Sequence, residues 1–217
     1  MSHSNVSKTK RRYLAIKRVM DILAALVLLV PSFFIVSLCY IAIKLETKGP
    51  AFFVQERPGR HGRLFKIYKL RTMIVDTNRE GRQLSDMERM TKAGRIIRKF
   101  SLDELPQILN ILKGEMSFIG PRPLLEEYLP LYTKEQARRH EVMPGISGWA
   151  QVNGRNELGW EQKFDRDVWY IDHIGMKLDC KILCMTIINV FKRQGINAGV
   201  SDTMQIFKGS KVQSLNE

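Results

Sequence analysis

The sequence predicts a mainly helical α+β protein with an N-terminal membrane helix, amphipathic helices suited to an interface, and a small β-hairpin. Three observations predict it. Ile22 to Ile43 runs for 22 residues without a charge, long enough to meet the hydrocarbon of a bilayer. Ala51-Phe52-Phe53-Val54-Gln55 and Leu64-Phe65-Lys66-Ile67-Tyr68-Lys69 are short β-forming runs around Pro58-Gly59 and His61-Gly62, which marks a hairpin with a longer loop. Beyond them, residues 89–100, 126–141 and 178–191 carry apolar residues at helical spacing.

The chain divides into residues 1–48, basic and then apolar, residues 49–195, the globular part, and residues 196–217, a tail whose end from Gly195 looks loosely structured. At 217 residues one domain with a sizeable core is expected. Lys and Arg number 35 against 22 Asp and Glu, a net charge of +13, so the partners are acidic: nucleic acid, anionic lipid headgroups or phosphorylated substrates. Charge alone does not choose among them. Three cysteines, Cys39, Cys180 and Cys184, give neither a disulfide framework nor a C-x-x-C metal pattern, and fit a reducing compartment.

Six basic residues, Lys8, Lys10, Arg11, Arg12, Lys17 and Arg18, precede the apolar run against the single acid Asp21. As helix the run is about 33 Å long, enough for a ~30 Å hydrocarbon core. It is too long for a signal peptide and no small-residue cleavage site follows it. Pro31, near its midpoint, removes a backbone hydrogen bond and favours a break there, with Ser32 available for the freed groups. Lys44, Lys48, Arg57, Arg60, Arg63, Lys66, Lys69 and Arg71 follow, so the positive-inside rule holds both flanks in the cytoplasm. A helix that enters, bends at Pro31 and returns satisfies both flanks, whereas a straight span exports one of them. Proline is common in spanning helices, so the residues alone leave both topologies open.

In the second hairpin arm Phe65 and Ile67 alternate with Lys66 and Tyr68, and the arm ends in Lys69-Leu70-Arg71-Thr72-Met73. Its basic residues are either a solvated face or, at Lys69 and Arg71, a grip on a diphosphate. Residues 76–92 are polar, a loop or an exposed helix; Arg89 to Phe100 then sets Arg95, Arg98 and Lys99 beside Ile96, Ile97 and Phe100, a basic amphipathic pattern.

Ser101-Leu102-Asp103-Glu104-Leu105-Pro106-Gln107 carries two adjacent carboxylates in this basic chain. Such a pair stays ionised, binds a divalent cation, and attacks or positions a phosphate. Ser101-x-x-Glu104 is also a capping box, the commoner meaning of those four residues. Pro106 argues for a helix that starts nearer Asp103, with both carboxylates in a first turn whose free N–H groups favour anions. Downstream, prolines on both sides of Arg122 fix a stiff loop from which its guanidinium projects, suited to a phosphate or merely solvated.

Residues 126–141 are helical in pattern, and Met143-Pro144-Gly145 breaks them. Residues 150–156, with Gln151, Asn153 and Arg155, form a loop whose amide and guanidinium groups fit a nucleotide or sugar pocket. Trp160, Phe164, Trp169 and Tyr170 suit interfacial anchoring or ordinary packing, and Leu178 to Phe191 is an apolar helix too short to span.

The chain resembles the bacterial sugar transferases, the monotopic phosphoglycosyl transferases, over roughly residues 16 to 195. The resemblance is carried by Lys17-Arg18-x-x-Asp21, Gly49-Pro50-Ala51-Phe52-Phe53-x-Gln55-x-Arg57-x-Gly59, Tyr68-Lys69-x-Arg71-Thr72-Met73, Ser101 to Gln107, Gly120-Pro121-Arg122-Pro123 and Pro144-Gly145-Ile146-x-Gly148-Trp149-Ala150-Gln151-Val152-x-Gly154-Arg155. It implies a minimal catalytic core with a re-entrant membrane helix broken at Pro31 and Ser32, in the bacterial inner membrane with the active site on the cytoplasmic face. It also implies that Asp103 attacks the β-phosphate of a UDP-sugar, releases UMP, and passes the phosphosugar to a polyprenyl phosphate such as undecaprenyl phosphate. That is the first membrane step of exopolysaccharide, capsule, O-antigen or glycoprotein assembly. By the same resemblance Asp103 and Glu104 hold Mg²⁺, Lys69, Arg71 and Arg122 grip phosphate, and Gln151 with Arg155 line the nucleotide or sugar side. Membrane lipid is a partner, nucleic acid is not, and a homodimer is allowed. Three departures stand out: Val30-Pro31-Ser32 reverses a frequent Ser-Pro order, Ser147 replaces a common Thr, and His173-Ile174-Gly175 replaces a more usual Asn-Trp-Ser.

A different class of function also explains the charge and the apolar run: a membrane-anchored module that binds anionic lipid or nucleic acid without catalysis. It gives no reason for Asp103-Glu104 beside a rigid Arg122.

Overall fold

The computed structural model describes residues 8–75, 77–79, 82–154, 158–192 and 206–210. Its first element, α1, is a single helix of 39 residues, Lys8–Glu46, so the basic flank before the apolar run is helical as well. At about 1.5 Å per residue it is roughly 58 Å long. The expected break at Pro31 and Ser32 is not an interruption, because α1 continues through both. A proline inside a helix forfeits one hydrogen bond, yet its fixed φ is itself helical, and intact turns on either side carry the helix past it.

One stripe of α1 is buried along nearly its whole length: Lys17, Asp21, Ala25, Ser32, Cys39 and Ile43, with Leu29 and Val36 packed between them. Those spacings of three and four residues keep one face turned to the rest of the molecule. Both ends are fastened to that same body. Near the start, Lys17 Nζ lies 2.6 Å from Asp179 Oδ2, and Arg18 donates to the carbonyls of Ile111 (2.6 Å) and Leu112 (3.1 Å). The Phe118 N–H reaches Asp21 Oδ1 at 3.2 Å. At the far end, Glu46 accepts the N–H groups of Lys92 and Ala93 at 2.6 and 2.8 Å. The opposite flank, with Leu23, Val27, Val30, Phe33, Phe34, Leu38 and Leu45, is exposed.

The hairpin forms as expected: β1, Phe52–Pro58, pairs antiparallel with β2, Leu64–Leu70, in the register Phe53↔Lys69 and Gln55↔Ile67. A turn at Arg60–Gly62 joins them, with His61 and Gly62 at positive φ. Phe65, Ile67 and Leu70 face the interior. The polar stretch that follows holds two two-residue strands, β3 (Asn78–Arg79) and β4 (Arg82–Gln83), and the single turn α2, Asp86–Arg89, closed by a Ser85/Glu88 capping box. Then α3, Lys92–Lys99, starts on the Thr91 hydroxyl. Gly94 lies against the end of β2 so closely that a Cβ there would stand 1.9 Å from the Thr72 carbonyl oxygen.

After the 3₁₀ helix Leu102–Gln107 comes α4, Ile108–Lys113, ended by Gly114 at φ 85°. Asn110, wholly buried on α4, donates to the Lys66 carbonyl and accepts from the Tyr68 N–H, which locks α4 to β2. Ser117–Ile119 (β5) and Gly145–Ser147 (β6) then pair in parallel. Between them residues 126–141 form not one helix but a 3₁₀ segment Glu126–Leu131, the turn α5 (Lys134–Ala137) and a second 3₁₀ segment Arg138–Glu141. Pro130 denies the first piece an α-helical bond, and Thr133, capping with Gln136, starts the next afresh.

The segment expected as a loop at 150–156 begins as a short helix, α6, Trp149–Val152. Two longer helices follow, α7 (Trp160–His173) and α8 (Met176–Lys192). Aromatic packing, rather than anchoring, accounts for Phe164 and Tyr170, each 1% exposed. Part of the tail is also ordered into the core, since Phe207 inserts among Tyr128, Tyr132, Trp160 and Phe164. The loosely structured end that the sequence suggests from Gly195 is corrected only at Phe207, whose ring buries a large apolar area; residues 195–205 and 211–217 lie outside the described residues.

Candidate active site

The catalytic-looking carboxylates owe their geometry to Pro106. An α-helix through residues 101–107 would press the proline ring on the Leu102 carbonyl, so the chain winds as the tighter 3₁₀ helix instead. Ser101 opens that helix in the left-handed region, φ 55° and ψ 26°, and its side chain makes no capping bond. The capping box is therefore absent. Ser101 instead turns the chain sharply between α3 and the 3₁₀ helix, at a cost of about 1–2 kcal/mol for a residue with a Cβ. Backbone strain of this size concentrates where function demands a special geometry.

Glu104 faces two cations from separate elements. Its Oε1 accepts from Lys69 Nζ on β2 at 2.9 Å and from Arg122 of the Pro121-Arg122-Pro123 loop at 2.7 Å. Burial pushes its carboxyl up, but Arg122 and Lys69 outweigh burial and hold it down at about 2. Asp103 is the reverse case. Burial and the neighbouring Glu104 charge raise its pKa, against the pull of Lys69, Arg122 and Arg98. Among the described residues no donor hydrogen-bonds to it. Two adjacent carboxylates thus take separate roles, one clamped and one left available.

More positive charge gathers here than the sequence suggested. Lys69, Arg57 and Lys163 all have pKa values lowered by burial and then by the Arg122 charge. Lys69 and Arg122 act on both carboxylates and Arg98 on Asp103, while Arg57 and Lys163 lie close enough to Arg122 to feel its charge, and a polyanion beside Arg122 would relieve that crowding. Arg57 and Lys163 were not foreseen; Arg57 stood within a motif without an assigned role, and Lys163 had no signal beyond its position among the aromatic residues of 160–170. Beside Arg122 lies a small cleft lined by Pro58, Arg139, His140 and Pro144 among others. His140 is kept neutral in this wall, its pKa lowered to about 4 by burial and by Arg139.

The other expected contacts divide. Arg71 is buried, and its guanidinium donates to the Lys48 carbonyl (2.7 Å) and the Thr47 hydroxyl (2.7 Å), fixing the turn after α1. Both of its terminal nitrogens are engaged at the chain leaving α1, and its buried Nε donates to no described residue. Gln151 donates to the Ile146 carbonyl at 2.8 Å and keeps a buried Oε1 that accepts from no described residue. Arg155 lies outside the described residues. Among the described residues no three His, Cys, Asp or Glu side chains gather as a metal site. The residues present fit a Mg²⁺ held mainly by substrate: the unpaired Asp103 carboxylate and the second Glu104 oxygen offer hard donors, and a diphosphate supplies others.

A free carboxylate beside a clamped one, ringed by cations, is the equipment of an enzyme that transfers a phosphorylated group. The chain belongs to the bacterial sugar transferase family, whose model matches residues 12–193, and it is a transferase. It is 51% identical over 195 residues to the uncharacterized sugar transferase EpsL of Bacillus subtilis (strain 168), covering 90% of this chain and 96% of that one. It is 43% identical over 185 residues to the UDP-N-acetylgalactosamine-undecaprenyl-phosphate N-acetylgalactosaminephosphotransferase of Aeromonas hydrophila, covering 81% of this chain and 43% of that one. The undecaprenyl-phosphate glucose phosphotransferase of Komagataeibacter xylinus is 41% identical over 189 residues, covering 79% of this chain and 35% of that one. The chain therefore spans less than half the length of these last two relatives.

Proposed function

We propose that this protein transfers a sugar-1-phosphate from a UDP-sugar to a polyprenyl phosphate, undecaprenyl phosphate by analogy with its relatives. The observation that carries it is the pairing of an available Asp103 with a Glu104 clamped by Lys69 and Arg122. In the first step an Asp103 carboxylate oxygen attacks the β-phosphorus and the bond from that phosphorus to the bridging oxygen breaks. The electron pair leaves with UMP, and the phosphosugar stays on Asp103 as an acyl phosphate. A carboxylate is a workable nucleophile for this and needs no base. In the second step a phosphate oxygen of the polyprenyl phosphate attacks the same phosphorus and releases the Asp103 carboxylate, giving polyprenyl-diphosphate-sugar.

Lys69 and Arg122, held at spacing by Glu104, accept the charge of the diphosphate, and Arg57 and Lys163 extend the field around it. Mg²⁺, bound by Asp103, Glu104 and the diphosphate, would neutralise charge between nucleophile and substrate. The relatives' names carry different sugars, N-acetylgalactosamine and glucose, so the sugar is to be measured.

The molecule sits on the cytoplasmic face of the bacterial inner membrane, with α1 entering one leaflet and both of its ends on that face. Its exposed apolar flank and the attachment of both its ends to one body support entry into one leaflet. The reaction is then the first membrane step of a surface glycan, such as an exopolysaccharide. Intact-mass measurement of the protein with Mg²⁺ and a panel of UDP-sugars, without polyprenyl phosphate, tests the route. A phosphosugar-sized increase, absent in Asp103→Asn, is the expected result and names the sugar. No increase in protein that still releases UMP when polyprenyl phosphate is added would mean direct transfer.

A further inference from the structure

We infer that the buried pair Arg139–Asp167 is a positioning device for the phosphate-gripping Arg122, an inference that rests on the function proposed above. Arg139 donates through Nε and one terminal nitrogen to Asp167 Oδ2, at 3.1 and 2.7 Å, and that same terminal nitrogen donates to the Arg122 carbonyl at 2.7 Å. Its other terminal nitrogen reaches the Tyr132 hydroxyl at 3.3 Å. The guanidinium lies 5.7 Å from the ring centres of both Tyr132 and Phe164. Asp167 is carried by α7, so a line of contacts runs from α7 through Arg139 to the backbone of Arg122, and from the Arg122 side chain to Glu104 at 2.7 Å.

Stability is a poor reason for such a pair. With side-chain exposures of 2% and 5%, both charges have been taken out of water, and apolar residues of similar volume often serve a fold as well or better. What an apolar pair lacks is aim. Pro121 and Pro123 fix much of the backbone around Arg122, and the remaining freedom is the tilt of the loop as a whole. A hydrogen bond to the Arg122 carbonyl removes that freedom at the one residue whose side chain is left 43% exposed to meet an anion. Arginine is suited to the task because its planar fork holds a carboxylate and a carbonyl together, which a lysine ammonium does not.

The test compares the full-length protein with the apolar pair Arg139→Met/Asp167→Leu and with Arg139→Lys, each alone and combined with Arg122→Ala. Inorganic diphosphate binding by calorimetry and the UDP-sugar KM and kcat are both read, with thermal unfolding as the check on folding. The apolar pair is expected to unfold at or above the wild-type temperature. It should weaken diphosphate binding and raise KM by about 10- to 100-fold, the usual effect of misplacing a positioning group by an ångström or so. In the Arg122→Ala background the same change should cost less than about twofold, because its target is gone. Wild-type diphosphate affinity in a folded apolar pair overturns the inference, as does a loss equally large with Arg122 removed. If the apolar pair does not fold, Arg139→Lys decides by the same criteria. A wild-type protein that binds diphosphate but transfers no sugar phosphate would sink the reaction assigned above, and the binding comparison would still decide the role of the pair.

Discussion

Glu104 takes both of its cations on one oxygen, so its loss sets Lys69 and Arg122 facing each other without the charge between them. Glu104→Gln is expected to lower stability by about 1–3 kcal/mol and transfer by about 10²-fold or more. Chemical denaturation and UMP release measure the two. Asp103→Asn, by contrast, removes no contact, and is expected to fold within about 1 kcal/mol of wild type while turnover falls at least about 10³-fold. A membrane-bound module without catalysis would keep its function in that variant. His140 sets a pH dependence: its folded pKa of about 4 lies below the ordinary 6.5. The unfolded chain therefore binds the proton more readily, and stability present above pH 6.5 is lost as pH falls through 4. A shift of this size contributes about 3 kcal/mol between those limits. His140→Gln should flatten the fall in melting temperature between pH 7 and 4; an unchanged slope would assign it to other groups. At this scale the sequence exposed Asp103, Glu104, Lys69 and Arg122, because carboxylates in a basic chain and an arginine between prolines are unusual. It did not display the hydrogen bonds of Arg71 to the Thr47 and Lys48 carbonyls, which no sequence pattern shows.

Among the elements, α3 is the one that leads directly into the carboxylates. It is pinned at its start by Glu46 from the end of α1 and along its length by the close approach of Gly94 to Thr72. Gly94→Ala must push α3 off β2, and we expect a loss of about 2–4 kcal/mol with a fall in transfer rate as Ser101 to Glu104 shift. Glu46→Ala removes a charged helix cap worth about 1 kcal/mol. Thermal unfolding and UMP release separate the two outcomes; a rate unchanged in Gly94→Ala would mean that α3 does not set the carboxylates. The hairpin was legible because alternation and turn residues coincide. The 3₁₀ helix was half legible: Pro106 signalled trouble for an α-helix, while Ser101 and Glu104 imitated a cap. The pairing of β5 with β6 was invisible, since three residues on each side carry no periodicity and the partners are far apart in sequence. Pro130 was a signal for the fragmented 126–141 segment that helical patterning overrode.

For the molecule as a whole, α1 decides how the enzyme meets a bilayer. Its apolar character was plain in the sequence, but the buried stripe along it was not, since lipid and protein core reward the same residues. If both ends of α1 stay on one side, single cysteines at Lys10 and Lys48, in protein lacking Cys39, Cys180 and Cys184, should react with an impermeant maleimide only in inside-out vesicles. Labelling of one site from each side would establish a span. The net charge of +13 adds that binding to anionic vesicles should weaken as salt rises, though not vanish, because the apolar flank is insensitive to screening.

The bond between Lys17 and Asp179 joins residues separated by 162 positions. A ribosome adding roughly 5–20 residues each second therefore finishes Asp179 about 8–30 s after Lys17. During that interval the start of α1 exists without the acid that fixes it, and its apolar residues have emerged ahead of α4 and α8. Synthesis beside a membrane would offer those residues lipid before the globular part exists. Production away from a membrane is expected to yield more aggregate than production beside one, read by sedimentation.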